Sequence, residues 1–174
     1  MRVRAFLQKN KTDLAGKWLK MLADQYSKDG SKFILGEKDQ FANPMGFIYS
    51  EAIPQIFEAV VERQSTKTYD EPLRKIIQVR AVQDFTPSQA LSFIFDLKQL
   101  ITKSYKADNE IDFCEMIGIF QRIDAMAFSA FNIYCELKGK IWEIKANEVR
   151  KRNETMVARL NAKYDEMNKK KEEE

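Results

Sequence analysis

The stretch that decides the fold is residues 111–167, IDFCEMIGIFQRIDAMAFSAFNIYCELKGKIWEIKANEVRKRNETMVARLNAKYDEM. It contains no proline, and Gly118 and Gly139 are its only glycines. Apolar residues recur at helical spacing without a stop signal, which predicts one long helix or two nearly continuous ones. The first half is apolar and aromatic, and we expect it to be buried. The second half is charged, and we expect it to extend from the body as a helix.

Length and composition indicate one helical domain with an appendage. The chain has 174 residues, of which 44% are apolar and 32% charged, enough for a sizeable core. Six glycines and four prolines leave little material for the turns of an all-β fold. We therefore predict a body over residues 1–140 and a helical extension over residues 141–174, whose terminal KKKEEE run is disordered.

The charge is balanced in the body and slightly positive in the extension. Residues 138–174 hold eleven Lys/Arg and eight Asp/Glu, while residues 1–137 hold eighteen of each. Because both signs interleave along the extension, we do not expect a nucleic-acid partner. No apolar run has the length of a signal peptide or a membrane span, so we expect a cytoplasmic protein.

The two cysteines are predicted to be reduced and buried. Cys114 and Cys135 lie on one predicted helix, about 30 Å apart at 1.5 Å per residue. They cannot form a disulfide with each other in that helix. Buried thiols in a cytoplasmic protein are the interpretation that follows.

Two helix starts are marked by capping residues. Thr86 can accept a hydrogen bond from the backbone N–H of Gln89, and Gln89 can reach back to the backbone of Thr86. With Pro87 at the first helical position, this is a capping box. Asn43 stands at the N-cap of another helix, directly before Pro44.

The remaining boundaries are weaker. Thr12 and Asp70 are predicted to cap two further helices, and the Asp-Asn pair at 108–109 to cap the last one. Residues 27–43 are predicted to be irregular, and residues 64–69 to form a loop. The apolar residues expected to hold the irregular segment on the body are Phe33, Ile34, Leu35 and Phe41. We count five or six helices and no convincing strand, which predicts an all-α bundle with a long C-terminal helix.

Two stretches of this chain resemble a known family. They are residues 79–100, VRAVQDFTPSQALSFIFDLKQL, and residues 38–46, KDQFANPMG. Both are similar to the RsbRD N-terminal domain family, the sensory-type domain of stressosome-related bacterial proteins, and the resemblance covers roughly residues 5–145. It implies a helical, globin-like sensor domain that usually lacks haem. In larger relatives the last helix leads into a STAS domain; this sequence ends at Glu174, so we expect a standalone member.

The absence of histidine restricts the chemistry. It removes the usual proximal ligand of haem, the catalytic Ser-His-Asp and Cys-His sets, and the Glu-x-x-His metal motif of helical bundles. Cys114, Cys135, a methionine or a tyrosine remain as other iron ligands, but apolar packing explains them more simply. No glycine-rich phosphate loop is present. We therefore predict no catalytic residue, no metal site and no cofactor.

One candidate site is an apolar pocket. Aromatic and methionine side chains are dense in the predicted bundle, which a packed core explains. The alternative is that some of them line a pocket for a small ligand. Arg80 and Asp84 would then close a polar corner of the pocket, unless they merely pair with each other on the surface. The residues predicted to line this pocket are Arg80, Phe93, Phe95, Met116, Phe120, Phe128 and Phe131.

The other candidate site is a seam along the last helix. Its residues alternate by four and three: Trp142, Ala146, Val149, Asn153, Met156, Leu160, Lys163 and Met167. This spacing predicts a coiled coil, and an Asn inside such a seam specifies register and dimers. The alternative is a lone helix that folds back on the body or frays beyond about Arg150.

These features predict a non-enzymatic sensory or regulatory module. It would form a homodimer or contact a protein partner through the C-terminal helix. The alternatives are a carrier that holds a ligand in a Phe/Met-lined cavity and an assembly factor that uses the tail as an adaptor.

Overall fold

The fold is all-α in a computed structural model that describes residues 2–36, 39–63, 66–83, 85–105 and 110–172. Within these ranges no strand occurs, so the all-α class is confirmed. The helices are α1 (Val3–Lys9), α2 (Lys11–Ala23), α3 (Lys28–Leu35), α4 (Pro44–Val61), α5 (Thr66–Val82), α6 (Pro87–Ser104) and α7 (Glu110–Glu172). In the described ranges, no helix combines the length and the apolar character that a membrane crossing requires.

The long C-terminal helix is confirmed as one element. The chain divides into two compact units, Met1–Glu136 and Leu137–Glu174, and α7 contributes to both. Its residues up to Glu136 supply core side chains to the first unit, among them Ile119, Ile123 and Met126. α7 continues to Glu172, although the sequence predicted disorder from Lys169.

The core of the first unit is centred on Trp18 of α2, which is fully buried. Its indole Nε1 donates a hydrogen bond to the backbone oxygen of Phe93 at 2.7 Å, and the two rings stack with centroids 5.9 Å apart. Tyr49 and Ile53 on α4 are fully buried as well. The burial of apolar area between α2, α4 and α6 stabilises the body.

The two capping predictions are confirmed. The side chain of Asn43 accepts a hydrogen bond from the backbone nitrogen of Gly46 at 2.8 Å, at the start of α4. At the start of α6, the backbone nitrogen of Gln89 donates to Thr86 Oγ1 at 3.3 Å, and that of Thr86 donates to Gln89 Oε1 at 3.0 Å. Both caps satisfy backbone donors that the first helical turn leaves without an acceptor.

Two other helix starts lie earlier than predicted. α2 begins after Asn10 rather than after Thr12, and α5 begins at Thr66 rather than after Asp70. Tyr69, assigned to a loop by its polar and β-branched neighbours, is only 3% exposed. Its burial outweighs the weak helix propensity of this segment. The predicted cap at 108–109 lies outside the described residues.

The segment predicted to be irregular contains a helix. α3 is capped by Ser27, whose hydroxyl accepts a hydrogen bond from the backbone nitrogen of Gly30 at 3.2 Å. Ile34 is buried, whereas Phe33 is 50% and Phe41 91% exposed. The expectation that all the apolar residues of this segment hold it on the body was therefore wrong, because an eight-residue helix buries only one face and Phe41 lies outside that helix.

The prediction of buried cysteines was also wrong. Cys114 and Cys135 are free, and both are exposed. Their neighbours in sequence, Met116 and Tyr134, are buried. Apolar residues occur on both faces of this part of α7, so spacing alone did not show which face packs against the other helices.

Candidate functional site

The residues predicted to line an apolar pocket are divided between the core and the surface. Arg80, Phe93 and Met116 are buried, and Phe120 is half-buried. The remaining three are exposed to solvent: Phe95 (46%), Phe128 (72%) and Phe131 (47%). The seven side chains therefore do not all lie in one buried apolar interior. The predicted corner residue Asp84 lies outside the described residues.

Arg80 is instead the centre of a buried polar cluster. Its guanidinium is fully buried, and Nη2 donates hydrogen bonds to the backbone oxygen of Gln89 at 2.7 Å and to Oε1 of Gln25. Its Cζ atom lies 4.5 Å from the ring centroid of Phe85 and 5.5 Å from that of Phe93. Hydrogen bonds and aromatic faces thus surround the cation, an arrangement that suits arginine better than lysine.

No carboxylate forms an ion pair with Arg80 within the described residues, and its Nε and Nη1 have no acceptor there. A carboxylate compensates the charge of Arg80 only indirectly, through Gln25, whose Nε2 donates a hydrogen bond to Oδ2 of Asp96 at 2.6 Å. Burial raises the pKa of the Asp96 carboxyl, and the hydrogen bond from Gln25 and the charge of Arg80 offset only part of this effect. The Gln25 amide therefore joins the cation to a partly desolvated carboxylate.

A pair of tyrosines extends this cluster to α4. The hydroxyl oxygens of Tyr26 and Tyr49 lie 2.6 Å apart, and Tyr26 donates to Oε1 of Gln83 at 3.0 Å. Burial raises the pKa of both phenols, so both stay neutral at physiological pH. The cluster joins α2, α4, α5 and α6, and its buried guanidinium is not accessible to a dissolved ligand.

A surface cavity lies between α4 and α5. Its volume is about 530 Å³, within the range of small-molecule sites, roughly 300–1,000 Å³. Its apolar lining comes from Pro44, Phe47, Ile48, Ala52 and Pro72. Polar side chains also line it: Gln40, Glu51, Gln55 and Lys75. None of these residues was predicted as a site, because they become neighbours only when α4 packs on α5.

In the second unit, the predicted seam is a stripe of exposed apolar side chains. Trp142, Val149, Met156, Leu160 and Met167 are between 50% and 67% exposed. Residues spaced by four and three lie on one face of a helix, so these side chains form one continuous stripe. The two polar members of the predicted seam, Asn153 and Lys163, are exposed too.

Two apolar residues that the sequence analysis missed widen the seam. Val157 and Tyr164 are 55% and 64% exposed, and each follows a seam residue, Asn153 or Leu160, by four positions. That spacing could have identified them. Ile144 is also exposed, at 60%, but it lies on the opposite face of α7 from the seam.

Metal binding finds no support in the part of the chain that the structure describes. No group of three or more cysteine, aspartate or glutamate side chains there is arranged to hold an ion. An all-α body with an exposed apolar seam has the features of an interaction or sensor module.

Comparison with known families agrees with this class. The model of the RsbT co-antagonist protein rsbRD N-terminal domain matches residues 12–146. This is most of the chain, which therefore belongs to that family of regulatory domains in bacterial stress signalling, as the resemblance implied. The searches of curated proteins and of solved structures found no match. The matched range ends at Ala146, so most of the seam lies beyond it.

Proposed function

We propose that this chain is a non-enzymatic sensory or regulatory module of the bacterial cytoplasm, which associates with another helix through the seam of α7. The family membership supports the regulatory role. The seam supports the association, with a second copy of the chain or with a helix of another protein. Since the chain has no histidine, the proposal includes no haem and no other cofactor.

The exposed apolar stripe is the observation that carries the proposal. A contiguous apolar surface of this kind marks an interaction site in soluble proteins. Burying a large apolar side chain completely contributes about 1.5–3 kcal/mol, and five such side chains lie along the seam. A long helix without tertiary contacts is only marginally stable in water, so association would also stabilise the helix.

The continuity of α7 supports a signalling role. The same helix supplies Ile119, Ile123 and Met126 to the core of the body and carries the seam further along. A stimulus that changes the packing of the body would change the position of this helix. The associated partner would then respond to that change.

Light scattering on the full chain tests the association. We compare the wild type with Leu160→Glu in the seam and with Ile144→Glu on the opposite face. Both residues are 60% exposed, so the substitutions are matched in chemistry and accessibility. Any self-association that the wild type shows through the seam should persist in Ile144→Glu and be lost in Leu160→Glu. If the wild type associates and the two variants have the same mass in solution, the seam has no role in the association.

A second candidate function is the binding of a small apolar ligand, favoured by the cavity between α4 and α5. Native mass spectrometry of the full chain would detect a co-purified molecule. Ile48→Trp, which fills the cavity, should abolish its retention. A mass equal to that of the polypeptide alone, together with no thermal shift from apolar probes, would count against this candidate.

A further inference from the structure

A row of basic side chains borders the seam on one side. The three basic residues Lys145, Arg152 and Arg159 follow one another at intervals of seven residues and precede Glu166, so they lie along the same flank of α7. All three are exposed. None of the ion pairs formed among the described residues includes any of them. Lys145 makes a cation–π contact instead, with Nζ 5.7 Å from the ring centroid of Trp142.

The opposite flank of the seam has a different character. The residues at the corresponding seven-residue intervals are Glu143, Arg150, Val157 and Tyr164. One is acidic, one is basic and two are apolar. The seam is therefore asymmetric, with a basic flank and a mixed, partly apolar flank. In coiled coils such flanking positions determine which helices pair and in which orientation.

A parallel dimer of this chain would not neutralise the basic flank. In that arrangement a residue on one flank faces the residue five positions later on the other helix. Lys145 would face Arg150 of the second copy, which has the same charge. The two arginines of the basic flank would face Val157 and Tyr164, which carry no negative charge.

An antiparallel dimer would not neutralise the two arginines either. Equivalent flanks then face each other, so Arg152 would lie against Arg159 of the second copy where Lys145 lies against Glu166. Like charges at such distances are unfavourable. Nucleic acid is not the expected counter-charge either, since residues 142–168 hold six Lys/Arg and five Asp/Glu and present an apolar stripe.

We propose that the partner of the seam is an amphipathic helix of a different protein, whose apolar stripe is bordered by Asp or Glu residues that face Lys145, Arg152 and Arg159. This inference rests on the proposed function, because it specifies the partner of the same seam. The seam supplies the apolar contact, and the flank selects the partner by its charge. Reversing the basic row would weaken binding of such a helix by about tenfold or more at low salt.

Two synthetic helical peptides serve as probes. Both are about four heptads long and have the same apolar stripe. One peptide carries Glu, and the other carries Lys, at the positions that flank the stripe. Fluorescence anisotropy measures their binding to the full chain. We expect the Glu-flanked peptide to bind more tightly. Arg152→Glu should reduce this preference, and replacing Lys145, Arg152 and Arg159 together by Glu should invert it. Lys151→Glu makes the same charge change on the outer face of the helix and should leave the preference unchanged.

The outcomes separate this inference from the function it rests on. Equal binding of the two peptides would overturn the acidic partner and leave the seam as an interface. If neither peptide binds and the chain does not self-associate, the seam is not an interface and both proposals fail. If Lys145→Glu self-associates more tightly than the wild type, and the chain binds the two peptides equally, the partner of the seam is a second copy of the chain. That result would overturn the inference.

Discussion

Arg80 places a positive charge in the core without a carboxylate to pair with it among the described residues. Desolvation of such a group is unfavourable by several kcal/mol, and hydrogen bonds to Gln25 and Gln89 compensate only in part. Methionine would preserve the contacts with the aromatic rings and remove the charge. We expect Arg80→Met to leave the free energy of unfolding unchanged or to raise it, by up to about 4 kcal/mol.

Arg80→Ala provides the comparison for this prediction. It removes the packing as well as the charge, and we expect it to lower the free energy of unfolding by about 2–5 kcal/mol because a cavity remains. Urea unfolding followed by circular dichroism measures both variants. A loss in Arg80→Met as large as that in Arg80→Ala would show that the hydrogen bonds outweigh the desolvation.

The Asp96 carboxyl makes the free energy of unfolding depend on pH. Its pKa is raised in the folded state, mainly by burial, so the folded protein binds its proton more tightly than the unfolded chain does. The contribution of this group to stability is therefore fully present below its unfolded pKa and is lost as the pH rises through the folded pKa. We expect Asp96→Asn to become progressively more stable relative to the wild type between about pH 3 and pH 7.

Unfolding at several pH values measures this difference. Asp13, an exposed carboxylate that pairs with Lys17 on the same helix, provides a control as Asp13→Asn. That variant should not gain stability over the wild type as the pH rises. A constant difference between Asp96→Asn and the wild type would show that burial does not govern the Asp96 carboxyl.

At the scale of the elements, two glycines in helices have opposite roles. A Cβ atom at Gly46 would collide with the side-chain nitrogen of Asn43 and would lie 2.7 Å from the backbone oxygen of Ile34. A Cβ atom at Gly16 would meet nothing within 4 Å. We expect Gly46→Ala to lower the free energy of unfolding by about 1–3 kcal/mol, because it displaces the cap of α4 and the end of α3.

Gly16→Ala is the matched substitution. In the interior of α2 it should raise the free energy of unfolding by about 0.5–1 kcal/mol, because alanine loses less backbone entropy on folding. Thermal and urea unfolding of both variants give the comparison. Similar effects of the two substitutions would show that α3 and α4 do not depend on close approach at Gly46.

The capping box of α6 is a second prediction at this scale. Thr86→Ala removes the side-chain acceptor for the backbone nitrogen of Gln89, and we expect a loss of about 1 kcal/mol. Thr102 lies near the other end of α6, and its hydroxyl donates only to the backbone oxygen of Lys98. Thr102→Ala should therefore change the free energy of unfolding by less than about 0.5 kcal/mol. Equal losses would contradict the role of the cap.

At the scale of the whole molecule, Asn153 tests how specific the association of the seam is. A buried Asn in a seam lowers stability but selects one register and one oligomeric state. We expect Asn153→Leu to associate more tightly than the wild type and to give a mixture of masses in light scattering. Asn161→Leu, on the outer face of α7, should behave like the wild type. Unchanged association of Asn153→Leu would place Asn153 outside the interface.

The features that the sequence could predict are those that depend on residues close together in the chain. The caps at Asn43 and Thr86 were predictable because a cap involves residues only three positions apart. The seam stripe was predictable because its spacing is set by the geometry of one helix. Whether it binds another helix stays a prediction. The exposure of Phe95, Phe128 and Phe131 was not predictable, because these residues lie on helices that carry apolar residues on several sides.

By itself, therefore, the sequence determined the all-α class, the long last helix, the starts of α4 and α6, and the apolar stripe of the seam. Only the tertiary structure decided which apolar faces are buried, where α5 begins and what surrounds Arg80. The first group follows from hydrogen bonds and spacing within a few residues. The second depends on contacts between residues far apart in the chain, such as Gln25 with Arg80 and Trp18 with Phe93, which no local pattern specifies.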